Sequence, residues 1–390
     1  MTPTDLPPSE AAPPEELGAT EAGTAALGCD PFAEDDGPDP FLERLERLEH
    51  RVAAAPAPKR PRAVPGLRAE PPPEAPQRVQ QHWTTRPLAP PRTEPTRRRW
   101  ATTPALSELD VPEPSSWVDR LLGDEERTRL SALAHLVEGD APYDRFGYSP
   151  ATTRVAFPFF HALYRLWFRV HSEGHEHLPL EGPAVLAGNH GGLLPFDAAM
   201  GIVDIALHTD PPRLLRAVVD RWAGRLPWIN VFYARVGQVV GTRENFSDLL
   251  DDGQLVLVFP EGIEGVRKTV TQRYRLQSFR VGFVEEALRA RAPIIPTAFI
   301  GSDDQAPILY DVKPLARRLG LPVAPITPTF PWLGPLGLIP YPVSYRIVYG
   351  EPLRFHERFG PEGADHPQLV RYLANRVRRT VQQMIDRRRS

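Results

Sequence analysis

The residues best suited to chemistry lie in one stretch, Ala187-Gly188-Asn189-His190-Gly191-Gly192-Leu193-Leu194-Pro195-Phe196-Asp197. A histidine follows a short apolar run, two glycines follow the histidine, and an aspartate opens the next helical segment. An imidazole takes a proton from an alcohol near neutral pH when a carboxylate holds its other ring nitrogen in the right tautomer. His190 is the candidate base and Asp197 its orienting partner, with Asn189, Gly191 and Gly192 shaping the turn through which a substrate approaches. Taken alone, the pair also reads as a structural histidine capping a turn.

Two further stretches have the same form. Phe259-Pro260-Glu261-Gly262 ends an apolar run and leads to Glu264, Arg267, Lys268, Arg273 and Arg275. A carboxylate beside cations suits a polar pocket that orients a hydroxyl and pairs with phosphate. Gly237 to Arg243 ends a third run in the same way, with Gly241 and Arg243 at its close. Each arginine alone reads as a solvated charge; together they put basic groups at the ends of neighbouring strands, on the sheet edge that carries His190.

Such an edge needs a sheet covered by helices, and the pattern from residue 184 onward supplies one. Strands are expected at 184–187, 214–219, 236–240, 255–259, 294–300 and 345–349, and helices at 198–206, 281–290 and from about 367 to the end. Ahead of them, Phe160, Leu163, Tyr164, Trp167 and Phe168 line one helical face and His161, Arg165 and Arg169 the other. That face suits an anionic membrane interface or the domain core equally. The proline-punctuated segment 314–342, with Phe330, Trp332, Leu333, Leu336, Leu338 and Ile339, reads as a packed surface loop, or as a wall for an acyl chain or a membrane-dipping segment.

Composition bounds the rest. The chain has 390 residues, and roughly half of its 47 prolines precede residue 116. Residues 1–115 therefore read as a disordered tail with a short amphipathic helix near 41–54, where Phe41, Leu42, Leu45, Leu48 and Val52 recur. Residues 116–175 read as a helical, partly membrane-interfacial segment, and 176–390 as the catalytic domain. The formal charge of -3 argues against nucleic acid as partner. The single cysteine, Cys29, and the lack of clustered Cys and His spacing argue against disulfides and a metal. No apolar run reaches the roughly 18 residues of a membrane span, and the amino terminus lacks the features of a secretion signal, so a cytoplasmic chain touching the membrane peripherally is expected.

The stretches named above resemble the glycerolipid acyltransferase superfamily, within it the bacterial branch similar to the diacylglycerol acyltransferases, over about residues 146–357. Four ordered blocks carry the resemblance: Asn189-His190 through Asp197, Gly241-Thr242-Arg243-Glu244-Asn245, Phe259-Pro260-Glu261-Gly262 and Ala292-Pro293-Ile294-Ile295-Pro296. The resemblance implies an α/β fold with a central mixed, mostly parallel sheet flanked by helices, in the manner of glycerol-3-phosphate acyltransferase. It implies that His190 is the general base, oriented by Asp197, and that Arg243 and the Phe259–Gly262 block serve the acceptor, to which the basic pocket residues Arg267 and Lys268 would add. Pro296 falls on the strand associated with the acyl donor. The donor would be acyl-CoA or acyl carrier protein, the acceptor a glycerolipid hydroxyl, and no cofactor is called for. One departure stands out: six residues separate His190 from Asp197, where the family commonly has four. A serine hydrolase would need a Gly-x-Ser-x-Gly elbow, which the sequence lacks. The alternative is a noncatalytic lipid-binding or scaffold protein on the same fold.

Overall fold

The computed structural model describes residues 103–110, 117, 119–137, 139, 141–220 and 227–389. The amphipathic helix expected near 41–54, Cys29 and most of the proline-rich tail lie outside the described residues.

Nine strands form: β1 His171–Glu173, β2 Ala184–Gly188, β3 Leu215–Val219, β4 Val239–Val240, β5 Leu255–Val258, β6 Ile294–Ile300, β7 Tyr310–Asp311, β8 Pro325–Ile326 and β9 Arg346–Tyr349. Seven of them make one sheet in the order β1-β9-β6-β2-β5-β3-β4, and β7 and β8 pair separately. Every pairing in the large sheet is parallel except β6 with β9. The mixed, mostly parallel architecture expected from the sequence is what the chain adopts.

The central strands were legible because parallel strands covered on both faces read as continuous apolar runs. All five residues of β2 and all four of β5 are buried. The run expected at 236–240 is shorter than its apolar letters suggest. Val236 caps a preceding helix and Gly237 turns with a positive φ of 89°, so only Val239 and Val240 pair.

The helices, in chain order, are α1 Asp124–Ala134, α2 Pro150–Ala162, α3 Phe196–His208, α4 Ile229–Arg235, α5 Arg243–Asp251, α6 Ile263–Val266, α7 Gly282–Arg289, α8 Lys313–Leu319, α9 Phe355–Phe359 and α10 Pro367–Arg389. Ser149 opens α2, its hydroxyl accepting from Thr152 N with Pro150 at the first turn, and Thr242 caps α5 through Asn245 N. One turn of π-helix, Leu163–Trp167, continues α2.

The amphipathic stretch at 155–170 packs its apolar face on the domain core except at Trp167, which stays exposed. Phe157, Tyr164 and Phe168 are buried with Leu130 and Leu133 of α1 in the cluster that also holds β2, α3 and β9 side chains. The described residues of segment 116–175 thus share the core of the sheet domain, since these aromatic rings pack with side chains of β2, α3 and β9. Residues 103–108, which composition assigns to the tail, also have partners: the Thr103 hydroxyl donates to Pro212 O and Leu106 N to Asp210 Oδ1. Among the described residues, no helix is long and apolar enough to cross a membrane.

Candidate active site

The registers of β2, β5 and β6 bring three loops side by side. Ala187 lies opposite Val258 on one flank and Pro296 on the other, so the segments after Gly188, Val258 and Ile300 leave the same edge of the sheet. His190 sits on the first of these loops, Glu261 on the second, and Ser302 to Gln305 on the third.

Asn189 ties the first loop to the third. Its Nδ2 donates to Phe299 O at 2.9 Å and its Oδ1 accepts from Phe299 N at 2.7 Å, in full burial. Both ends of the amide hold protein backbone, so this residue positions His190, in place of the substrate contact the sequence suggested.

His190 Nδ1 lies 2.6 Å from Asp197 Oδ2, the geometry of an oriented general base. Asp197 is fully buried in the first turn of α3, and its carboxylate also accepts from Gly191 N at 3.1 Å and Ala198 N at 2.8 Å. The six-residue spacer therefore does not spoil the pair. Gly192 turns with φ of 77°, and the Gln305 amide clamps the bulge by donating to Gly191 O and Leu194 O. The Gly191 N–H returns to the same carboxylate that holds the imidazole.

The imidazole stacks on Phe259, ring centroids 4.3 Å apart and planes 9° from parallel. Burial works to lower the His190 pKa, but the charge and hydrogen bond of Asp197 and the charge of Glu261 outweigh it, and the pKa is raised. Gly265 backs the residue: a Cβ there would stand 3.0 Å from His190 Cβ.

Glu261 holds the loop from below. Its Oε1 accepts from His190 N at 3.0 Å and its Oε2 from Gln277 N at 2.7 Å. Lys268 Nζ lies 3.6 Å from Glu261 and 3.2 Å from Asp303, and all three side chains are at most 4% exposed. Burial pushes the carboxyl groups of Glu261 and Asp303 up, against the pull of Lys268. Glu261 and Lys268 thus belong to a buried charge cluster beneath the catalytic loop, instead of the open acceptor pocket their sequence neighbourhood suggested. Gln305 and Asp303 went unremarked in the sequence, although Gly301-Ser302-Asp303-Asp304-Gln305 repeats the pattern of polar residues closing an apolar strand.

The other expected residues stand elsewhere. Arg243 opens α5 beyond the edge strand β4, ion-paired with Glu285 and with Glu286 at 3.2 Å, both on α7. β4 is three strands from β2, roughly 14 Å at 4.8 Å per strand. Gly241 packs on β3, where a Cβ would meet Val218 at 2.9 Å. Arg267 turns to Asp311 of β7, Nε to Oδ2 2.9 Å. Pro296 is buried inside β6, its carbonyl accepting from Gly350 N. Pro260 accepts from Arg280 N, and Gly262, with φ of 58°, lies against the exposed Arg280 guanidinium, a cation the sequence reading passed over.

An apolar cavity of about 210 Å³ is lined by the segment that joins the dyad, though by neither His190 nor Asp197. Leu194, Pro195 and Phe196, the three residues before Asp197, form one wall, and Phe157, Phe160 and Phe232 of α2 and α4 form others.

Comparison with known proteins places the chain among acyltransferases. The family model described as Acyltransferase matches residues 169–300. An uncharacterized protein of Mycobacterium tuberculosis (strain ATCC 25618 / H37Rv) is 40% identical over 259 residues, covering 65% of this chain and 72% of that protein. The "DGAT1/2-independent enzyme synthesizing storage lipids" of Bos taurus is 24% identical over 229 residues, 57% of this chain and 60% of that one. The crystal structure of the 1-acyl-sn-glycerophosphate (LPA) acyltransferase from Thermotoga maritima aligns with 67% of this chain and 87% of its own, at a TM-score of 0.40 and 16% identity.

Proposed function

Because the chain belongs to the acyltransferase family, we propose that it moves a fatty acyl group from acyl-CoA or acyl carrier protein to the hydroxyl of a glycerolipid acceptor. The observation that carries this reading is the His190–Asp197 pair at 2.6 Å, whose joining segment Leu194–Phe196 forms one wall of an apolar cavity.

In this mechanism His190 Nε2 takes the proton of the acceptor hydroxyl as its oxygen attacks the thioester carbonyl. The carbon–sulfur bond breaks, the ester forms, and the imidazolium returns the proton to the leaving thiolate. Asp197 holds the tautomer and stabilises the transient imidazolium. For the developing oxyanion, Gly191 N–H already serves Asp197 and Gly262 N–H already serves Phe259 O, which leaves Gly192 N–H as the donor in that turn. Such a donor is worth roughly 3 kcal/mol. The acyl chain lies in the cavity between α2, α3 and α4.

Contact with the bilayer is part of the proposal, since both substrates carry long apolar chains. Trp332 and Leu336 are 75% and 69% exposed, and Trp167 Nε1 donates to Pro340 O, joining the π-turn to the same loop. Together with exposed Leu166, Leu333 and Ile339, these residues suit an interfacial belt.

The test is thiol release from a long-chain acyl-CoA with a panel of glycerolipid acceptors, followed by mass analysis of the product. Release that depends on acceptor, and falls by at least about 100-fold in His190→Ala, is the expected result. A noncatalytic lipid-binding protein releases no thiol with any acceptor, and that outcome would overturn the reading.

A further inference from the structure

Two turns along α3 from Asp197 lies a second polar cluster that the mechanism does not use. Asp204 and His208 are four apart on the helix and therefore share a face. His175 reaches them from the turn after β1, where Gly174 adopts a φ of 88° and a Cβ would collide with Tyr349 O. His175 Nε2 lies 3.1 Å from Asp204 Oδ2, and His208 Nδ1 lies 3.1 Å from Asp204 Oδ1 and 2.9 Å from Asp204 O. The two imidazoles stack with centroids 4.6 Å apart. All three ligand-type atoms fall within 4.8 Å of one another.

Asp204 is fully buried, and burial alone would raise its pKa. The hydrogen bonds of His175, His208, Ser172 and Tyr349 outweigh that and keep the carboxyl well below the usual carboxylate range. Its oxygens are also crowded. Tyr164 OH at 2.7 Å, Ser172 Oγ at 2.5 Å and Tyr349 OH at 2.6 Å all donate to them, along with the His175 imidazole. Tyr164, Ser172, Tyr349 and His175 already fill about four lone-pair positions, while His208 Nδ1, close to Oδ1, hydrogen-bonds the Asp204 backbone O.

We propose that His175, Asp204 and His208 bind one first-row divalent metal ion, with zinc as the ion best matched to the set. One ion in place of two imidazole protons leaves the carboxylate with three hydroxyl donors and one metal bond, which its lone pairs accommodate. Metal–ligand distances of about 2.0–2.2 Å in a tetrahedral site put ligand atoms about 3.3–3.5 Å apart. The two nitrogen-to-carboxylate separations already approach this, and His208, 41% exposed at its side chain, has room to turn. That exposed side admits the ion and a water to complete its shell. Tyr164, Ser172 and Tyr349, on three separate elements, orient the ligating carboxylate from behind.

The ion is structural. Asp204 is seven residues from Asp197, about 10.5 Å along the helix, so the metal touches no reacting atom. It fastens the far end of α3 to the β1 and β9 edge and steadies the helix whose first turn carries the catalytic aspartate. The inference rests on these three side chains and does not depend on the acyl-transfer reading.

The full chain, stripped with a chelator and titrated with zinc chloride, is the material for the test. Bound zinc is counted after desalting, and thermal unfolding is followed with and without the ion. Wild type should hold one saturable equivalent more than His175→Gln/His208→Gln and should melt higher in zinc, while the double variant does not respond. His208→Gln alone, at the exposed end of the helix, should fold normally and bind at least tenfold more weakly. Equal zinc content and equal melting response in wild type and the double variant would overturn the proposal.

Discussion

Glu261 Oε1 accepts the backbone N–H of His190 at 3.0 Å, so the loop that follows β5 fixes the loop that leaves β2. The same carboxylate faces Lys268, which in turn faces Asp303 after β6. One buried cluster thereby joins three strand ends around the imidazole.

Removing that carboxylate should act on both stability and rate. Glu261→Ala strips the acceptor from His190 N and Gln277 N and takes one of two anions from Lys268, a group 2% exposed at its side chain. We expect a loss of about 3 kcal/mol in chemical denaturation and about 100-fold in kcat from a displaced loop. Glu261→Gln, which keeps one acceptor, should fall between. An alanine variant with wild-type kcat would show that the loop holds itself.

The His190 pKa sets a pH dependence. It is raised, burial opposing and Asp197 prevailing, so the neutral base appears only above the ordinary value of 6.5. The acid limb of kcat/KM should lie above that pH in wild type. In Asp197→Asn burial is opposed only by the charge of Glu261, and the limb should move to lower pH while kcat falls by about 10²–10⁴. For stability the sign is the reverse of the rate: a raised histidine stabilises the fold below its unfolded pKa, and the gain vanishes as pH climbs through the folded one. A limb that stays put in the variant would separate the titration from this histidine.

Gly192→Ala tests the bulge that accommodates the long spacer. The position has φ of 77°, costing about 1–2 kcal/mol for a side-chain-bearing residue, and its Cβ would overlap the Gln305 amide. Both stability and transfer should drop. Gln305→Ala in the same chain removes the overlap but also the hydrogen bonds to Gly191 O and Leu194 O, so the double variant should lose less stability than the sum of the two single variants. Thermal melts of the single and double variants decide it.

The cavity should read chain length. Ala199 lines it, and Ala199→Phe fills space that a long chain needs. Relative kcat/KM for a long over a short acyl-CoA should fall at least tenfold, since each methylene excluded is worth roughly 1–3 kcal/mol. An unchanged ratio would put the chain elsewhere.

Local chemistry explains what could be read without coordinates. Ile294–Ile300 and Leu255–Val258 are strands because runs that apolar must be covered on both faces, and His190 with Asp197 stands out because a strand end, glycines and a helix start are neighbours in sequence. The edge strand β1 escaped notice for the converse reason: His171–Glu173 is exposed or half-buried and carries no apolar run. Everything that depends on which strands adjoin was decided by the tertiary structure. Sheet order put β5 and β6 on either side of β2, which brought Glu261, Lys268 and Asp303 under His190 and left Arg243 three strands away with Glu285 and Glu286. His175 met Asp204 by the same route, across 29 residues. Pairings of that range follow from how helices and strands pack together, a global property that no window of sequence contains.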